Sequence, residues 1–526
     1  MTSAIKFKLS ITGLLMVVFL LPYLSAQNFS PASDETTHIP SGYSYIKTGD
    51  LKLNPQHPPL VKILAALPLT LLNINFDATD PTFSSPLFDE WQFGRKFFGS
   101  NNIDQVLLYS RFSIQLISVL LAFYIYLWAS EMFSKKAGIL GLFIYAFMPN
   151  IIAHSQFVTM DIAVTAFPFI AMYYLWKFFK TNSHKHLIFS AVSMGLGLSS
   201  KFSAVVFLPI IAIFLLVYIW HKNYDSDLKI RNFLKYSIFF ALSSFAVVYL
   251  LYFLPKDLGF YIRGMRLIYA DWSSSHYFFL NGQFSTTGWW YYFIYAFLVK
   301  TPIPFLLALF SAVVLLVLKK SDINLKDKSF LLIPPVFFFI VTTFRAGDIG
   351  VRYILPIYPF LILFTSVLAT IDWSKLLGWK NIYILYVIIG LLGFWYIFSA
   401  AVTYPDYLAY FNEFIGGTDN GYKHLDDSNI EWGQDLKRLK VYQDEHPDLK
   451  VMVSWAYADL SSYGIKNKID ITKDALDHPK GLYAVNVHFL IHSSQKSKEY
   501  NDPLLDWLNL YKPAARIGQS FFIYDF

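Results

Sequence analysis

Residues 202–220 read FSAVVFLPIIAIFLLVYIW and contain no charged side chain. A helix needs roughly 20 consecutive apolar residues to cross the hydrocarbon core of a bilayer. This stretch is therefore predicted to span a membrane, and it decides the fold class. Ten further apolar runs have the same character, at about 9–25, 107–130, 138–154, 159–178, 186–200, 234–254, 289–318, 329–344, 352–371 and 381–402. Eleven spans are predicted.

The composition of the whole chain supports a polytopic α-helical membrane protein. Hydrophobic residues make up 55% of the 526 residues, aromatic residues 19% and charged residues only 15%. A soluble globular chain carries roughly 25% charged residues, so a soluble enzyme is excluded. The 51 Phe, 36 Tyr and 13 Trp exclude a disordered chain. The absence of cysteine excludes disulfides, thiolate metal sites and a cysteine nucleophile.

Basic residues lie in alternate connectors between the predicted spans. Examples are Lys135 with Lys136, and Lys177 with Lys180. The positive-inside rule assigns these connectors to the cytoplasm, which places the amino terminus inside and the carboxyl terminus outside the cytoplasmic (inner) membrane. A signal peptide cleaved after Ala26 is an alternative for the first span. Residues after Ala26 begin outside in both cases.

Three long connectors lie on the predicted outer side, at about 27–106, 255–288 and 403–526. The last of them contains charged runs and short strand-like pieces, such as Val451–Trp455, Leu482–Val487 and Phe521–Tyr524. We therefore expect two domains: a transmembrane domain over residues 1–402, whose external loop 27–106 carries the catalytic acid, and a small external α/β domain over residues 403–526.

The first external loop begins with two acids, Asp34 and Glu35, directly after the good N-cap residue Ser33. On the helix predicted to start at Asp34, His38 shares a face with Asp34 because it lies four residues on. Adjacent residues diverge by about 100° around a helix, so the two acids cannot both address one atom. We expect one acid to act and the other to support it, although both are equally consistent with simple capping.

The same loop resembles the first external loop of bacterial membrane glycosyltransferases of the GT-C fold. That family includes protein O-mannosyltransferases and the aminoarabinose transferase that modifies lipid A. The loop residues that carry the resemblance are Asp34-Glu35, His38, Gly42 to Tyr45, Gly49-Asp50, Asn54-Pro55, His57 to Leu60 and Lys62. Matches elsewhere are Met160-Asp161, Ser200 to Ser203, Gly288 to Tyr292, Lys300 to Pro302, Gly350 to Tyr353 and Asp427 to Lys437.

The resemblance implies a glycosyltransferase that takes a sugar from a polyprenyl-phosphate donor and gives it to an acceptor outside the cytoplasm, which is a protein, a lipid or a glycan. It assigns the catalytic acid to Asp34, with Glu35 as the second catalytic candidate. The chemistry agrees independently. An acceptor hydroxyl needs a base, whereas a phosphate leaves as an anion and needs no acid. One carboxylate with several cations is therefore the expected site.

Candidate cations lie at the predicted outer ends of spans. They are Lys62, Lys201, Arg263, Arg266, Lys300, Arg345 and Arg352. Together they form a clamp for a lipid-linked phosphate, although snorkelling explains any single one equally well. Asp161 at a span end is expected to face a polar cavity, because a carboxylate facing lipid is costly. His57 either binds substrate or orients a carboxylate, or else makes a structural hydrogen bond.

Several alternatives stay open at the level of the sequence. No cofactor is certain from the sequence, but a divalent metal is possible, because Asp34, Glu35, His38 and His57 offer hard ligands, although without the H-E-x-x-H spacing of a zinc protease. Membrane lipids are expected partners and nucleic acid is not. A transporter and a non-catalytic envelope-assembly protein are the competing functions. The string Asp427 to Lys437 either caps the cavity or anchors the external domain.

Overall fold

The computed structural model describes residues 3–84, 89–220, 226–272, 277–318, 324–374, 379–453, 460–469 and 479–526. Within them, eight helical segments are long and apolar enough to cross a membrane, or nine if a bent pair counts as one span. The chain is therefore a multi-pass membrane protein, as predicted. The eight segments are Ile5–Ala26, Ile103–Met132, Asp161–Thr181, Phe202–Trp220, Asp227–Leu251, Leu325–Arg345, Val351–Thr370 and Ile382–Thr403.

The predicted number of eleven spans is not confirmed, for reasons visible in the chain. Pro149 interrupts the run at 138–154, which forms two short helices, Lys135–Ala146 and Pro149–His154. The run at 186–200 forms a helix of only 15 residues, about 22 Å long. The run at 289–318 breaks at Pro302, where its two helices meet at 114°.

The α-helices are numbered in chain order. Those before the first strand are α1 (Ser3–Ala26), α2 (Glu35–Thr48), α3 (Leu60–Ala66), α4 (Pro81–Ser84), α5 (Glu90–Gly99), α6 (Ile103–Met132), α7 (Lys135–Ala146), α8 (Pro149–His154), α9 (Asp161–Thr181), α10 (His184–Leu198), α11 (Phe207–Trp220), α12 (Ser226–Leu251) and α13 (Phe260–Trp272). Those that follow are α14 (Tyr292–Lys300), α15 (Ile303–Val317), α16 (Leu325–Arg345), α17 (Tyr358–Thr365), α18 (Trp379–Thr403), α19 (Leu436–Glu445), α20 (Val487–Tyr500) and α21 (Trp507–Leu510). Short 3₁₀ turns include Phe202–Val206 and Val351–Ile357, which lead into α11 and α17.

Helix α9 lies at the centre of the bundle and is almost wholly buried. Aromatic side chains pack around it: the ring of Trp128 on α6 lies 4.9 Å from Phe169, and Phe360 on α17 lies 5.0 Å from the same ring. Because α9 begins at Asp161, this packing fixes the position of a carboxylate at one end of the bundle.

Two glycines allow the first loop to fold tightly against that end. A Cβ on Gly42 of α2 would lie 1.9 Å from the carbonyl oxygen of Lys62 on α3. A Cβ on Gly94 of α5 would lie 1.9 Å from the carbonyl oxygen of Thr36 on α2. Helix α2 is buried along most of its length, so it forms a wall of the folded loop and does not lie free at a membrane surface.

The tail forms a four-stranded sheet in the order β3-β4-β6-β5, with β3 and β4 parallel and the other pairs antiparallel. Its strands are β3 (Lys450–Met452), β4 (Leu482–Asn486), β5 (Ala515–Ile517) and β6 (Phe521–Asp525), and a separate hairpin consists of β1 (Phe278–Leu280) and β2 (Gln283–Ser285). The predicted strand at Val451–Trp455 begins inside β3, while Trp455 lies outside the described residues. The tail and the first loop meet at the same end of the bundle, because the Ser33 amide donates to the carbonyl of Trp432 (2.6 Å).

Candidate active site

Asp34 sits at the N-cap position of α2, one residue before the helix begins. Its carboxylate accepts a hydrogen bond from Nη1 of Arg352 at 3.1 Å. The Asp34 side chain is 26% exposed, whereas that of Glu35 is fully buried and that of Asp161 is 1% exposed. Of these three predicted acids, Asp34 is therefore the one that an acceptor can reach.

The guanidinium of Arg352 is held between two aromatic rings. It lies 4.3 Å from the Trp432 ring centroid and 5.2 Å from that of Tyr353. Its Nε is buried and has no hydrogen-bond partner among the described residues. Stacking thus orients the planar guanidinium, and its Nε–H is available to donate a hydrogen bond to an anion.

A second ion pair lies beside the first. Nζ of Lys201 donates to Oδ1 of Asp161 at 2.7 Å and lies 4.7 Å from the Tyr353 ring centroid. The other oxygen of Asp161 is buried, and it too lacks a hydrogen-bond partner within the described part of the chain. Tyr353 is in contact with both cations, so the pairs Asp34–Arg352 and Asp161–Lys201 form one cluster.

Two histidines complete this cluster. Their rings meet edge to face with centroids 5.3 Å apart, and Nδ1 of His38 lies 3.0 Å from the carbonyl of Val158. Burial holds the pKa of His57 well below its usual value, and the nearby cations, which include Lys201 and Arg352, lower it further. Burial also lowers the pKa of His38, against the influence of Asp34. Both imidazoles are therefore neutral at pH 7 and can hydrogen-bond without adding charge.

His57 also lines a cavity of about 900 Å³. The cavity lies between the segment after α2 and the start of α13. Its wall combines apolar side chains such as Phe253 and Leu267 with the basic side chains Arg263 and Arg266. A volume of this size, with an apolar wall and a basic rim, suits an amphiphilic ligand with a negative group.

Glu35, the second catalytic candidate, lies in a different environment from Asp34. Its carboxylate forms a two-pronged pair with Arg111 of α6, at 2.9 and 2.6 Å. It also accepts from the amides of Val158 (2.8 Å) and Ala32 (2.8 Å). Glu35 has no exposed surface, and its bonds fix the start of α2, in keeping with the supporting role expected of one of the two acids.

The side chain of Lys62, a predicted contact to the substrate, bonds within the first loop. It is fully buried. Its Nζ lies 2.6 Å from the carbonyl of Asn54, 2.8 Å from that of His57 and 2.8 Å from the hydroxyl of Tyr45. Lys62 therefore shapes the Asn54–His57 turn, because its donors satisfy carbonyls that would otherwise be buried without partners.

The burial of Lys62 leads to a pH-dependent stability. Burial lowers its pKa from 10.5 to about 7, so the unfolded chain binds more protons than the folded chain between about pH 7 and 10.5. Stability therefore rises with pH in that window. We expect the thermal unfolding midpoint, measured at pH 7 and pH 9, to rise more in the wild-type protein than in Lys62→Met. Parallel pH profiles for the two proteins would contradict this prediction.

Three other predicted cations lie outside the cluster. Arg263 is exposed at the cavity rim, where it pairs with Asp257. Arg345 is exposed at the end of α16. Lys300 is fully buried and donates to the carbonyls of Leu408 (2.7 Å) and Asn429 (2.6 Å). Arg263, Arg345 and Lys300 therefore do not contact the Asp34–Arg352 pair, and substrate contact by Arg263 and Arg345 stays a prediction.

The segment from Asp427 to Lys437 makes contacts next to both Asp34 and Arg352. The side-chain oxygen of Asn429 accepts from the amide of Val351 (3.0 Å), next to Arg352. Trp432 stacks on Arg352 and its carbonyl accepts from Ser33, next to Asp34. The segment thus fixes both members of the Asp34–Arg352 pair.

Sequence reasoning missed three residues of this arrangement: Arg111, Tyr353 and Trp432. Arg111 carried a usable signal, because an arginine inside an apolar run demands a buried partner. Tyr353 and Trp432 stood within the family-like strings, but nothing in their spacing indicated that they would face the same guanidinium.

The proposed metal ligands of the first loop do not converge. The carboxylates of Asp34 and Glu35 pair with different arginines, and Nδ1 of His38 lies against a backbone carbonyl. In the described residues, a group of metal-ligating side chains with suitable spacing occurs in the tail, at Asp426, His488 and His492.

Comparisons with known proteins agree with this architecture. Residues 92–253 match the family model of dolichyl-phosphate-mannose-protein mannosyltransferases. That segment includes Arg111, Asp161 and Lys201, but neither Asp34 nor Arg352. No curated protein sequence matches the chain.

Solved structures of similar shape exist. ArnT from Cupriavidus metallidurans bound to undecaprenyl phosphate matches with a TM-score of 0.50 at 12% identity, over 99% of this chain and 98% of that one. Its apo state matches with a TM-score of 0.49 at 12% identity over the same shares. The oligosaccharyltransferase of Archaeoglobus fulgidus in its apo form matches at 0.46 and 11% identity, over 95% of this chain and 72% of that one.

These findings confirm two predictions from the sequence. The chain resembles the GT-C glycosyltransferases, and it has their polytopic helical fold. The match to a mannosyltransferase family model also supports the predicted glycosyltransferase activity.

Proposed function

We propose that this protein is a membrane glycosyltransferase that moves a sugar from a polyprenyl-phosphate donor to an acceptor hydroxyl, with Asp34 as the base. One observation carries the proposal: a partly exposed carboxylate, Asp34, lies 3.1 Å from the guanidinium of Arg352, which is stacked between two rings and only 11% exposed. A base for the acceptor and a cation for the leaving phosphate therefore stand side by side.

The reaction follows from these two groups. The acceptor oxygen attacks the anomeric carbon of the donor while Asp34 takes the hydroxyl proton. The bond from the anomeric carbon to the phosphate oxygen breaks, and the phosphate leaves with the electron pair. Direct displacement of this kind inverts the anomeric configuration.

Arg352 and Lys201 would stabilise the departing phosphate. Arg352 can keep its bond to Asp34 through Nη1 while its unpartnered Nε donates to a phosphate oxygen. Lys201 carries three donors, one of which is used by Asp161. Cations already in place where negative charge develops lower the barrier without rearranging during the reaction.

The cavity beside His57 is the proposed entry for the donor. Its apolar wall suits a polyprenyl chain, and its basic rim, which includes Arg263 and Arg266, suits the attached phosphate. The matched ArnT binds undecaprenyl phosphate, which is a carrier of this chemical class.

The site is proposed to face the exterior of the inner membrane. The opposite end of the bundle carries several lysines at helix ends, such as Lys135, Lys136, Lys177 and Lys328, which the positive-inside rule assigns to the cytoplasm. The site then belongs to a transmembrane domain of residues 1–402, and residues 403–526 form an external domain that closes over it.

The experiment that tests the function uses the purified full-length protein in lipid nanodiscs. It is incubated with a panel of polyprenyl-phosphate sugars and candidate acceptors, namely a peptide, a lipid and a glycan. We expect one donor to be consumed with stoichiometric release of polyprenyl phosphate and formation of an inverted product. A chain that consumes no donor with any acceptor would contradict the proposal.

A further inference from the structure

Three side chains of the tail that do not belong to the Asp34 cluster converge on one point. Nδ1 of His488 and Nε2 of His492 lie 2.8 and 3.0 Å from the same oxygen, Oδ2, of Asp426. The other oxygen of Asp426 is buried and has no hydrogen-bond partner among the described residues. The two histidines lie four positions apart on α20 and therefore share one face of the helix.

The surroundings of this cluster are strongly acidic. Asp426 and Glu431 are each only 6% exposed. Asp427 and Glu431 both act electrostatically on the imidazole of His488. Three carboxylates thus surround two imidazoles that are neutral when they act as ligands. Buried carboxylates are costly unless they are paired, and a divalent cation would pair with the carboxylate of Asp426.

We propose that Asp426, His488 and His492 bind a divalent transition-metal ion, with Zn²⁺ as the metal that suits them best. Zn²⁺ takes imidazole nitrogen and carboxylate oxygen at about 2.0–2.2 Å in tetrahedral sites. Ligand atoms around such an ion stand roughly 3.3 Å apart. The two oxygen–nitrogen distances of 2.8 and 3.0 Å would therefore each lengthen by a few tenths of an ångström on binding. Mg²⁺ and Ca²⁺ prefer oxygen ligands alone, and the two nitrogens disfavour them.

Within the tail, the ion would fasten α20 to the segment that braces the Asp34 cluster. His488 and His492 belong to the helix that follows strand β4. Asp426 directly precedes the 3₁₀ turn Asp427–Asn429, and its carbonyl accepts from the side chain of Asn429 (2.9 Å). Asn429 in turn holds the amide of Val351, the neighbour of Arg352. Zn²⁺ is thus assigned a structural role that does not depend on the reaction proposed for the cluster.

Metal content is the direct test. The full-length protein, carrying a tag without histidine, is stripped with a chelator and equilibrated with Zn²⁺, and the bound metal is counted by mass spectrometry. We expect one Zn²⁺ per chain and a higher thermal unfolding midpoint. Asp426→Asn and His492→Gln should bind about 100-fold more weakly, because even outer partners of metal ligands contribute 10–100-fold.

His446→Gln is the matched control, since His446 lies in the same tail and stacks on Tyr442 at 4.3 Å without joining the cluster. It should bind Zn²⁺ like the wild-type protein. His492→Gln keeps a side chain able to hydrogen-bond Asp426. In the presence of chelator, a variant whose thermal unfolding midpoint equals that of the wild-type protein is folded. The proposal is overturned by a wild-type chain that binds no Zn²⁺, by folded variants that bind it normally, or by equal binding of Mg²⁺.

Discussion

Asp34→Asn is expected to lose about 10²–10⁴-fold in kcat, the usual contribution of a positioned acid–base group. Asparagine has the size of aspartate but cannot take the proton of the acceptor hydroxyl. Its amide oxygen can still accept from Nη1 of Arg352, so the geometry of the pair survives. Donor binding should therefore stay near the wild-type value. The rate is measured as release of polyprenyl phosphate, and binding as displacement of a labelled polyprenyl phosphate.

Asp77→Asn provides the control in the same loop. The Asp77 carboxylate is at the surface and bonds to the neighbouring residue Thr79. That variant should transfer sugar at the wild-type rate. Unchanged turnover in Asp34→Asn would remove the base assignment. A wild-type chain that transports a solute and releases no lipid phosphate would favour the transporter, and one that does neither would favour an assembly protein.

The membrane-spanning character of the chain was predictable because the hydropathy of a segment depends only on the residues of that segment. A run such as 202–220 can be read without knowing its neighbours, since lipid must surround any exposed part of it. The breaks within apolar runs were harder to predict. Whether a helix continues through a proline such as Pro149 or Pro302 depends on the helices packed around it. The predicted number of spans therefore stays unconfirmed, because packing decides whether such a run continues as one helix.

The assembly of the site was predictable only in part. The family resemblance pointed to Asp34 and Arg352, which are 318 positions apart and meet in the structure. Lys62 and Lys300 look the same as Arg352 in the sequence, as basic residues at span ends. Whether such a side chain faces a substrate or is buried depends on carbonyls distant in the sequence, such as that of Leu408 for Lys300. No local sequence pattern reveals those contacts.

Glu35→Gln is expected to destabilise the protein by about 3–5 kcal/mol, the usual effect of removing one partner of a buried ion pair. The Glu35 carboxylate accepts four hydrogen bonds, from Arg111 on both oxygens and from the amides of Val158 and Ala32. Glutamine replaces one oxygen by an NH₂ group, which then meets two donors at hydrogen-bond distance. The guanidinium of Arg111 also loses its counter-charge while it stays buried. The thermal unfolding midpoint of the purified protein measures the effect.

Glu131→Gln is the matched control, because it removes one carboxylate from an ion pair that is partly exposed to solvent. Glu131 and Lys177 lie 3.1 Å apart with about a third and a quarter of their side chains exposed. A pair of this type contributes about 0–1 kcal/mol, so the midpoint should hardly move.

The double variant Glu35→Gln/Arg111→Met separates a structural role of Glu35 from a catalytic one. Removing both charges together leaves no uncompensated ion, and methionine fills much of the space of the arginine stem. The midpoint should therefore recover part of the loss seen in Glu35→Gln. Activity should follow stability, because Glu35 acts by holding Asp34 in place at the start of α2. A Glu35→Gln protein with a wild-type midpoint and no activity would instead make Glu35 a catalytic residue.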